Sequence, residues 1–577
     1  MSLLSLQRNS LFMGFLTRNK VEIMALLVYC VVGGIYTYPL LFNMRSVFYG
    51  GYGDPSGTIW HFWLLKNIGI WNFASVSKVI AYPFGYDLSL VPHQLSGEFL
   101  GWFLALTVDE VFAYNFILFL SYPLSGIFMY LLSYHLTRNR PGSFIAGLIY
   151  SVSSYHTHHA IGHLLLSTIQ WMPLYILCLI KLDEERNYRY AFLTGLTFAL
   201  VSLDSFYHGL FMTIVSITFL CYRLVSESLR NRCLFIYYRA IKLFLSVIAT
   251  IFFTTLPATY PIFKNIIATS HNTSSYAHPI SDLYVYSSRP WEYLIPSANH
   301  PVLGKYALDI MSFTGLDLHG SNFVEQTIFL GYASILLTMV TIVFWIKDKN
   351  RVPALDHRTY FTIRFFVLVA LVAFLFSLPP TIEFGCFDIQ MPSSVIYKFV
   401  KTFRAYVRFS IVVALSVALL SGVAIKFLLN GRKTWFKAVI TLLITFFILF
   451  ESYVPPFYTR IEEIPPEYKW LSEQRGKLII AEYPLASEID KISSAYLFWQ
   501  RIHRKVLING YARGSVGDKF REKIFYLSPS TIESLRKIGV DYIIVHNPEY
   551  SGSLVVDGLK LIKSFDRSLI YQIDKRK

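Results

Sequence analysis

Charge is scarce in this chain: only 15% of its 577 residues are Asp, Glu, Lys or Arg, against 54% hydrophobic and 17% aromatic. That balance excludes a single water-soluble core, because there is too little polar side chain to cover one. Acid is the scarcer sign, with 36 Asp and Glu against 52 Lys and Arg, a net charge of +16. Cysteine is scarce too. Of the five, Cys30, Cys178 and Cys221 fall within apolar runs, Cys233 in a basic loop and only Cys386 in a segment assigned below to the outside. One external thiol excludes a disulfide framework. The chain also lacks a repeated half and lacks a matched pair of Gly/Pro-broken apolar runs, the usual trace of alternating access in transporters.

What fills the chain instead is apolar runs of membrane length. A bilayer core of about 30 Å takes about 20 helical residues. Runs of this order recur at 22–42, 111–135, 143–160, 164–182, 190–204, 206–224, 240–258, 326–346, 361–379, 408–429 and 433–453, so about eleven spans are expected. Short loops rich in Lys and Arg stay cytoplasmic. Arg8, Arg18 and Lys20 precede the first run, and every second loop after it is basic, as at Arg138/Arg140, Lys181/Arg186/Arg189 and Arg432/Lys433/Lys437. The expectation is a multi-pass protein of the cell membrane with its N-terminus cytoplasmic and its tail outside. The positive charge then faces anionic lipid and calls for no nucleic acid. The first run is followed by Tyr-Pro-Leu-Leu rather than by small residues, so it is expected to stay as a signal-anchor helix.

After residue 455 charged residues become frequent and apolar runs shorten to strand length. Lys477 to Glu482, Tyr542 to His546 and Leu569 to Ile573 read as strands, and Pro529 to Lys537 as a helix. The expected fold is mainly α: a polytopic transmembrane helical bundle over 1–454, with a large first external loop at 43–110, and a small extracytoplasmic α/β domain over 455–577. Phe498 to Tyr511 reads either as a surface loop or as the lining of a sugar site.

The external segments carry the chemistry. Asp54 lies in Gly53-Asp54-Pro55, with Trp60 and Trp63 close behind, and the next acidic residue is Asp87. Two readings stand: a turn aspartate stabilising its own loop, or a catalytic carboxylate at the membrane face. The same loop holds Trp60, Gln94 and Glu98 as candidate acceptor-site residues, while most of its aromatics suit interfacial anchoring. His156, His158, His159 and His163 crowd eight positions, and on a helix His156, His159 and His163 share one face. They suit an interfacial turn, contact with a phosphate or sugar, or a metal site. Asp204 and His208 are four apart and would face one way on a continuing helix. Asp204 reads as a cavity residue or a helix cap. Arg404 and Arg408 stand in a basic stretch on the face where positive charge is disfavoured. Their readings are lipid phosphate binding and snorkelling to headgroups.

Several motifs together resemble the GT-C superfamily of membrane glycosyltransferases, and more narrowly the bacterial and archaeal membrane proteins labelled YfhO-like. They are Gly53-Asp54-Pro55 with Trp60 and Trp63, Tyr82-Pro83-Phe84-Gly85, Gln170-Trp171-Met172-Pro173-Leu174, Phe403-Arg404 with Arg408-Phe409, and Gly539-Val540-Asp541-Tyr542 in the tail. The resemblance implies transfer of a sugar from a polyprenyl-phosphate carrier to a glycan, lipid or protein acceptor outside the membrane. It also implies that Asp54 serves as general base or organises acceptor and metal, and that Arg404 and Arg408 meet the lipid phosphate. The loop has no Asp-x-Asp pair, so a divalent metal, Mg or Mn, is an open expectation, with Glu98, Asp204 or the histidines as further ligands. The alternatives are a flippase for lipid-linked saccharides and a non-catalytic envelope assembly protein.

Overall fold

The computed structural model describes residues 19–90, 93–228, 235–269, 278–314, 323–348, 356–384, 387–461, 463–485, 491–510, 515–546 and 558–574. Arg8, Arg18, Cys233, Cys386 and Tyr511 fall outside them. The chain forms two compact units, one of residues 1–42, 116–255 and 276–456, the other of 43–115, 256–275 and 457–577.

The first unit is helical. Among the described residues of the chain, seven helices are long and apolar enough to cross a membrane: Glu110–Thr137, Leu164–Glu185, Phe206–Ser226, Ile241–Lys264, His357–Ser377, Tyr406–Leu429 and Thr434–Ser452. Lys20–Tyr36, Tyr188–Asp204 and Tyr332–Asp348 are shorter helices at three further expected runs. The run 143–160 departs from expectation. It is two buried helices, Arg140–Ser151 and Ser154–Gly162, separated where Ser153 turns extended.

Ser410–Leu429 is apolar all round and buried over nearly its whole length, as expected for a helix at the centre of a bundle. It packs against Arg140–Ser151, Tyr332–Asp348 and His357–Ser377. Small residues set how close these helices come: a Cβ on Gly142 would sit 2.3 Å from the Gly422 carbonyl oxygen. Hydroxyls join the helices as well, with Thr341 Oγ1 donating to Leu420 O at 2.7 Å and Ser421 Oγ to Ser334 O at 3.1 Å. Gly142→Ala is expected to destabilise the protein by about 1–3 kcal/mol through overpacking. A lower unfolding midpoint in detergent checks this, and an unchanged midpoint contradicts it.

In the second unit the first-loop residues fold together with the tail, so 43–110 is not a loop of the membrane unit as the sequence suggested. Val47–Tyr49 pairs antiparallel with Tyr458–Arg460. Leu507 N donates to Val79 O at 2.9 Å and Ala81 N to Asn509 O at 2.8 Å. The helix Asp54–Ile68 packs on Lys491–His503. Five strands form a sheet in the order Leu559–Phe565, Ser568–Ile573, Tyr542–His546, Ile479–Tyr483, Val506–Leu507. Ile479–Tyr483 runs parallel to both neighbours, and the other pairs are antiparallel. Ser528 caps Pro529–Lys537 by accepting from Thr531 N. Phe498 and Gln500 are fully buried on the helix Lys491–His503, so these two side chains line neither a surface loop nor an open sugar site. The Gln500 amide bonds Val79 O at 2.7 Å and Lys505 O at 2.9 Å.

Candidate functional site

In the first unit, four side chains from distant parts of the chain meet. Arg408 stands in the Tyr406–Phe409 turn that opens the central helix, and Glu325 in the short helix Phe323–Gln326. Arg408 Nε donates to both Glu325 oxygens at 3.1 and 3.0 Å, and Nη2 donates to Oε1. The guanidinium also lies 4.3 Å from the Tyr207 ring centroid. Among the described residues Nη1 makes no hydrogen bond. His159 Nε2 is 3.8 Å from Glu325 Oε2, and His163 Nε2 is 3.8 Å from Oε1.

Electrostatics follow from burial. Glu325 is 2% exposed; burial opposes its ionisation, but Arg408 outweighs that and holds the carboxyl down to about 2. Burial pushes the His159 imidazole well below its ordinary range, so the ring is neutral and carries a lone pair. Its Nδ1 is buried with no hydrogen-bond partner among the described residues. His159, His163 and Glu325 each present one ligand atom, all within 4.8 Å of one another.

His156 does not join them. Its Nε2 pairs with Ser121 Oγ at 2.8 Å, its Nδ1 with Ser151 O at 2.6 Å, and the ring stacks on Tyr122. His156 and His159 stand on the same helix, Ser154–Gly162, and packing against Ser121 and Tyr122 takes the His156 ring away from the cluster, whereas His163, just past the helix end, joins it. His158 is likewise committed, to Ser154 O at 2.8 Å and Ser297 Oγ at 2.9 Å. The two arginines also part. Arg404 Nη1 reaches Asp282 Oδ2 at 3.4 Å, and its guanidinium lies 4.7 Å from the Tyr286 ring centroid. It is more exposed than Arg408, at 39% against 14% of its side chain. Asp204 and His208 are both buried but on separate helices, because Ser205 is extended and ends Tyr188–Asp204. His208 Nε2 lies 3.4 Å from Tyr155 OH.

The second unit holds Asp54, the first residue of Asp54–Ile68, and it is exposed. Gly53 before it has φ 139°, a region that favours glycine. Pro55 suits the first turn, and Ser56 Oγ closes the turn by accepting from Gly53 N at 3.1 Å and donating to Gly53 O at 3.0 Å. Trp60 is not an open acceptor surface: it is buried, with Nε1 donating to Gln500 Oε1 at 2.8 Å. Gln94 precedes Leu95–Thr107, is buried, and donates its backbone N–H to Glu98 Oε1 at 3.2 Å. Glu98 faces His93 and His61.

Sequence reasoning missed Glu325, Tyr207 and Asp282. The available signal for Glu325 was an acid standing alone directly before an apolar run.

Residues 99–449 match the family model described as Domain of unknown function (DUF6311). No curated protein matches the chain. Among solved structures, the oligosaccharyltransferase of Archaeoglobus fulgidus in complex with Zn and sulfate is similar at 13% identity, covering 95% of this chain and 73% of that one, with a TM-score of 0.50. ArnT of Cupriavidus metallidurans bound to undecaprenyl phosphate is similar at 10% identity, covering 96% and 98%, with a TM-score of 0.44. The first likeness is one of fold.

Proposed function

The chain belongs to the family described as Domain of unknown function (DUF6311), and we propose that it is an integral-membrane glycosyltransferase moving a sugar from a polyprenyl-phosphate-linked donor to a glycan, lipid or protein acceptor outside the cytoplasm. The observation that carries this reading is the buried cluster of Arg408, Glu325, His159 and His163 within a GT-C fold. An arginine that holds a buried carboxylate with two nitrogens and keeps the third for a ligand suits a phosphate oxygen. The similar oligosaccharyltransferase was solved with Zn and sulfate, a metal and a tetrahedral oxyanion.

The residues present fit a divalent metal. Two imidazoles and a carboxylate lie within mutual reach, and one imidazole is neutral and buried. Imidazole donors favour Mn2+ or Zn2+ over Mg2+. A metal bound there supplies positive charge beside the donor phosphate. Arg408 Nη1 binds a phosphate oxygen and stabilises the charge that grows on it. Asp54 takes the proton from the acceptor nucleophile, whose new bond to the anomeric carbon forms as the bond from that carbon to the phosphate oxygen breaks. Polyprenyl phosphate leaves with the electron pair. In this reading the N-terminus is cytoplasmic, and the C-terminal domain over 455–577 is extracytoplasmic.

The glycan and lipid profile of a deletion strain tests the proposal. A surface glycan missing one sugar, with the polyprenyl-phosphate-linked form of that sugar accumulating, supports it. Unchanged glycans and lipids contradict it.

A further inference from the structure

A second cluster, in the other unit, plays no part in that reaction. His61 stands on Asp54–Ile68, His93 directly before Leu95–Thr107, and Glu98 in that helix's first turn. All three are buried, at 9%, 3% and 4% exposure. His93 Nδ1 lies 2.9 and 3.2 Å from the Glu98 oxygens, and His61 Nε2 lies 3.4 Å from Oε1.

Hydrogen bonding identifies which ring atoms carry lone pairs. His93 Nε2 is 2.8 Å from Leu88 O. A carbonyl only accepts, so Nε2 holds the hydrogen, and a neutral His93 turns its Nδ1 lone pair onto the Glu98 carboxylate. His61 Nε2, also buried, makes no hydrogen bond among the described residues. With His93 neutral, three electron-rich atoms converge on one point, and either a proton on His93 Nδ1 or a metal cation among them relieves that; His61 Nε2, buried and without a hydrogen bond among the described residues, is left over by the proton and taken up by the metal.

We propose that His61 Nε2, His93 Nδ1 and the Glu98 carboxylate bind a structural divalent transition metal, Zn2+ by donor type, that ties Asp54–Ile68 to Leu95–Thr107. Tetrahedral zinc with bonds of about 2.0–2.2 Å sets its ligand atoms about 3.3–3.6 Å apart. The 3.4 Å between His61 Nε2 and Glu98 Oε1 fits that spacing, the 2.9 Å contact of His93 needs a slight opening, and all the ligand atoms lie within 4.8 Å of one another. Leu88 O supplies the outer-shell acceptor that fixes the tautomer of a metal-bound histidine. Three protein ligands leave the fourth position to water. The ion clips the helix that presents Asp54 to the next helix in the same unit, across the intervening loop.

Bound metal in the full-length protein in detergent, measured by mass spectrometry after Zn2+ loading and dialysis, tests the assignment. His61→Ala/His93→Ala is expected to hold one equivalent less than wild type, and His159→Ala/His163→Ala to keep that equivalent. Equal zinc in wild type and His61→Ala/His93→Ala overturns the proposal and leaves a proton-bridged cluster. A second measurement does not depend on the folding of the first variant. His159→Ala/His163→Ala loaded with Co2+ is expected to show the visible absorption of a tetrahedral site, and its absence overturns the proposal equally. Because metal is counted and no activity is measured, failure here leaves the proposed transfer reaction untouched.

Discussion

Asp54→Asn is expected to insert, purify and unfold like wild type while transferring sugar about 10²–10⁴-fold more slowly, the range for loss of a general base. Position separates the two effects. The carboxylate opens a helix and is exposed, so loss of its charge costs about 0.3–1 kcal/mol through the helix dipole. The turn itself is closed by Ser56 on Gly53, which the substitution leaves in place. Transfer rate in isolated membranes with labelled donor, set beside the unfolding midpoint, checks both halves. A variant with full activity excludes Asp54 as the base.

The second large effect is at Arg408. Removing it as Arg408→Met leaves the Glu325 carboxylate buried without its guanidinium, at a cost of about 3–5 kcal/mol. Adding Glu325→Met is expected to recover most of that stability without recovering activity, because the pair couples the two sites. Arg408→Lys keeps the charge but loses the planar fork. It is expected to fold and to raise the KM for the lipid donor more than that for the acceptor. Arg404→Gln is the comparison: its partner Asp282 is partly exposed, and an exposed pair contributes about 0–1 kcal/mol. Unfolding midpoints of the four variants and donor KM values for those that fold measure this. Equal effects at Arg404 and Arg408 contradict the separate roles that their partners assign.

How much of this could be read from sequence depends on the range of the interaction. The apolar runs at 111–135 and 408–429 became Glu110–Thr137 and Tyr406–Leu429, because burying or inserting a continuous apolar segment is a local property. Tyr542–His546 and Pro529–Lys537 were read at their observed bounds for the same reason, the helix from its proline and serine. Backbone breaks were invisible: an extended Ser153 splits one expected span, and an extended Ser205 separates Asp204 from His208. Periodicity placed His156 with His159 and His163, whereas packing gave His156 to Ser121 and Tyr122. Glu325 gains its meaning from His159 and Arg408, 166 and 83 residues away. No local pattern encodes that meeting. The first loop's union with the tail is likewise a matter of long-range pairing, Val47–Tyr49 with Tyr458–Arg460.

The most direct measurement of the central claim uses purified protein in liposomes, with a polyprenyl-phosphate sugar labelled separately on sugar and lipid, and with a crude acceptor fraction from the same cells. Glycosyl transfer predicts that the labels part, the sugar label entering the acceptor as unglycosylated polyprenyl phosphate accumulates, and that Asp54→Asn slows both about 10²–10⁴-fold. Labels that stay together while the lipid changes leaflet, or that never part under any condition in which the protein is folded, contradict it.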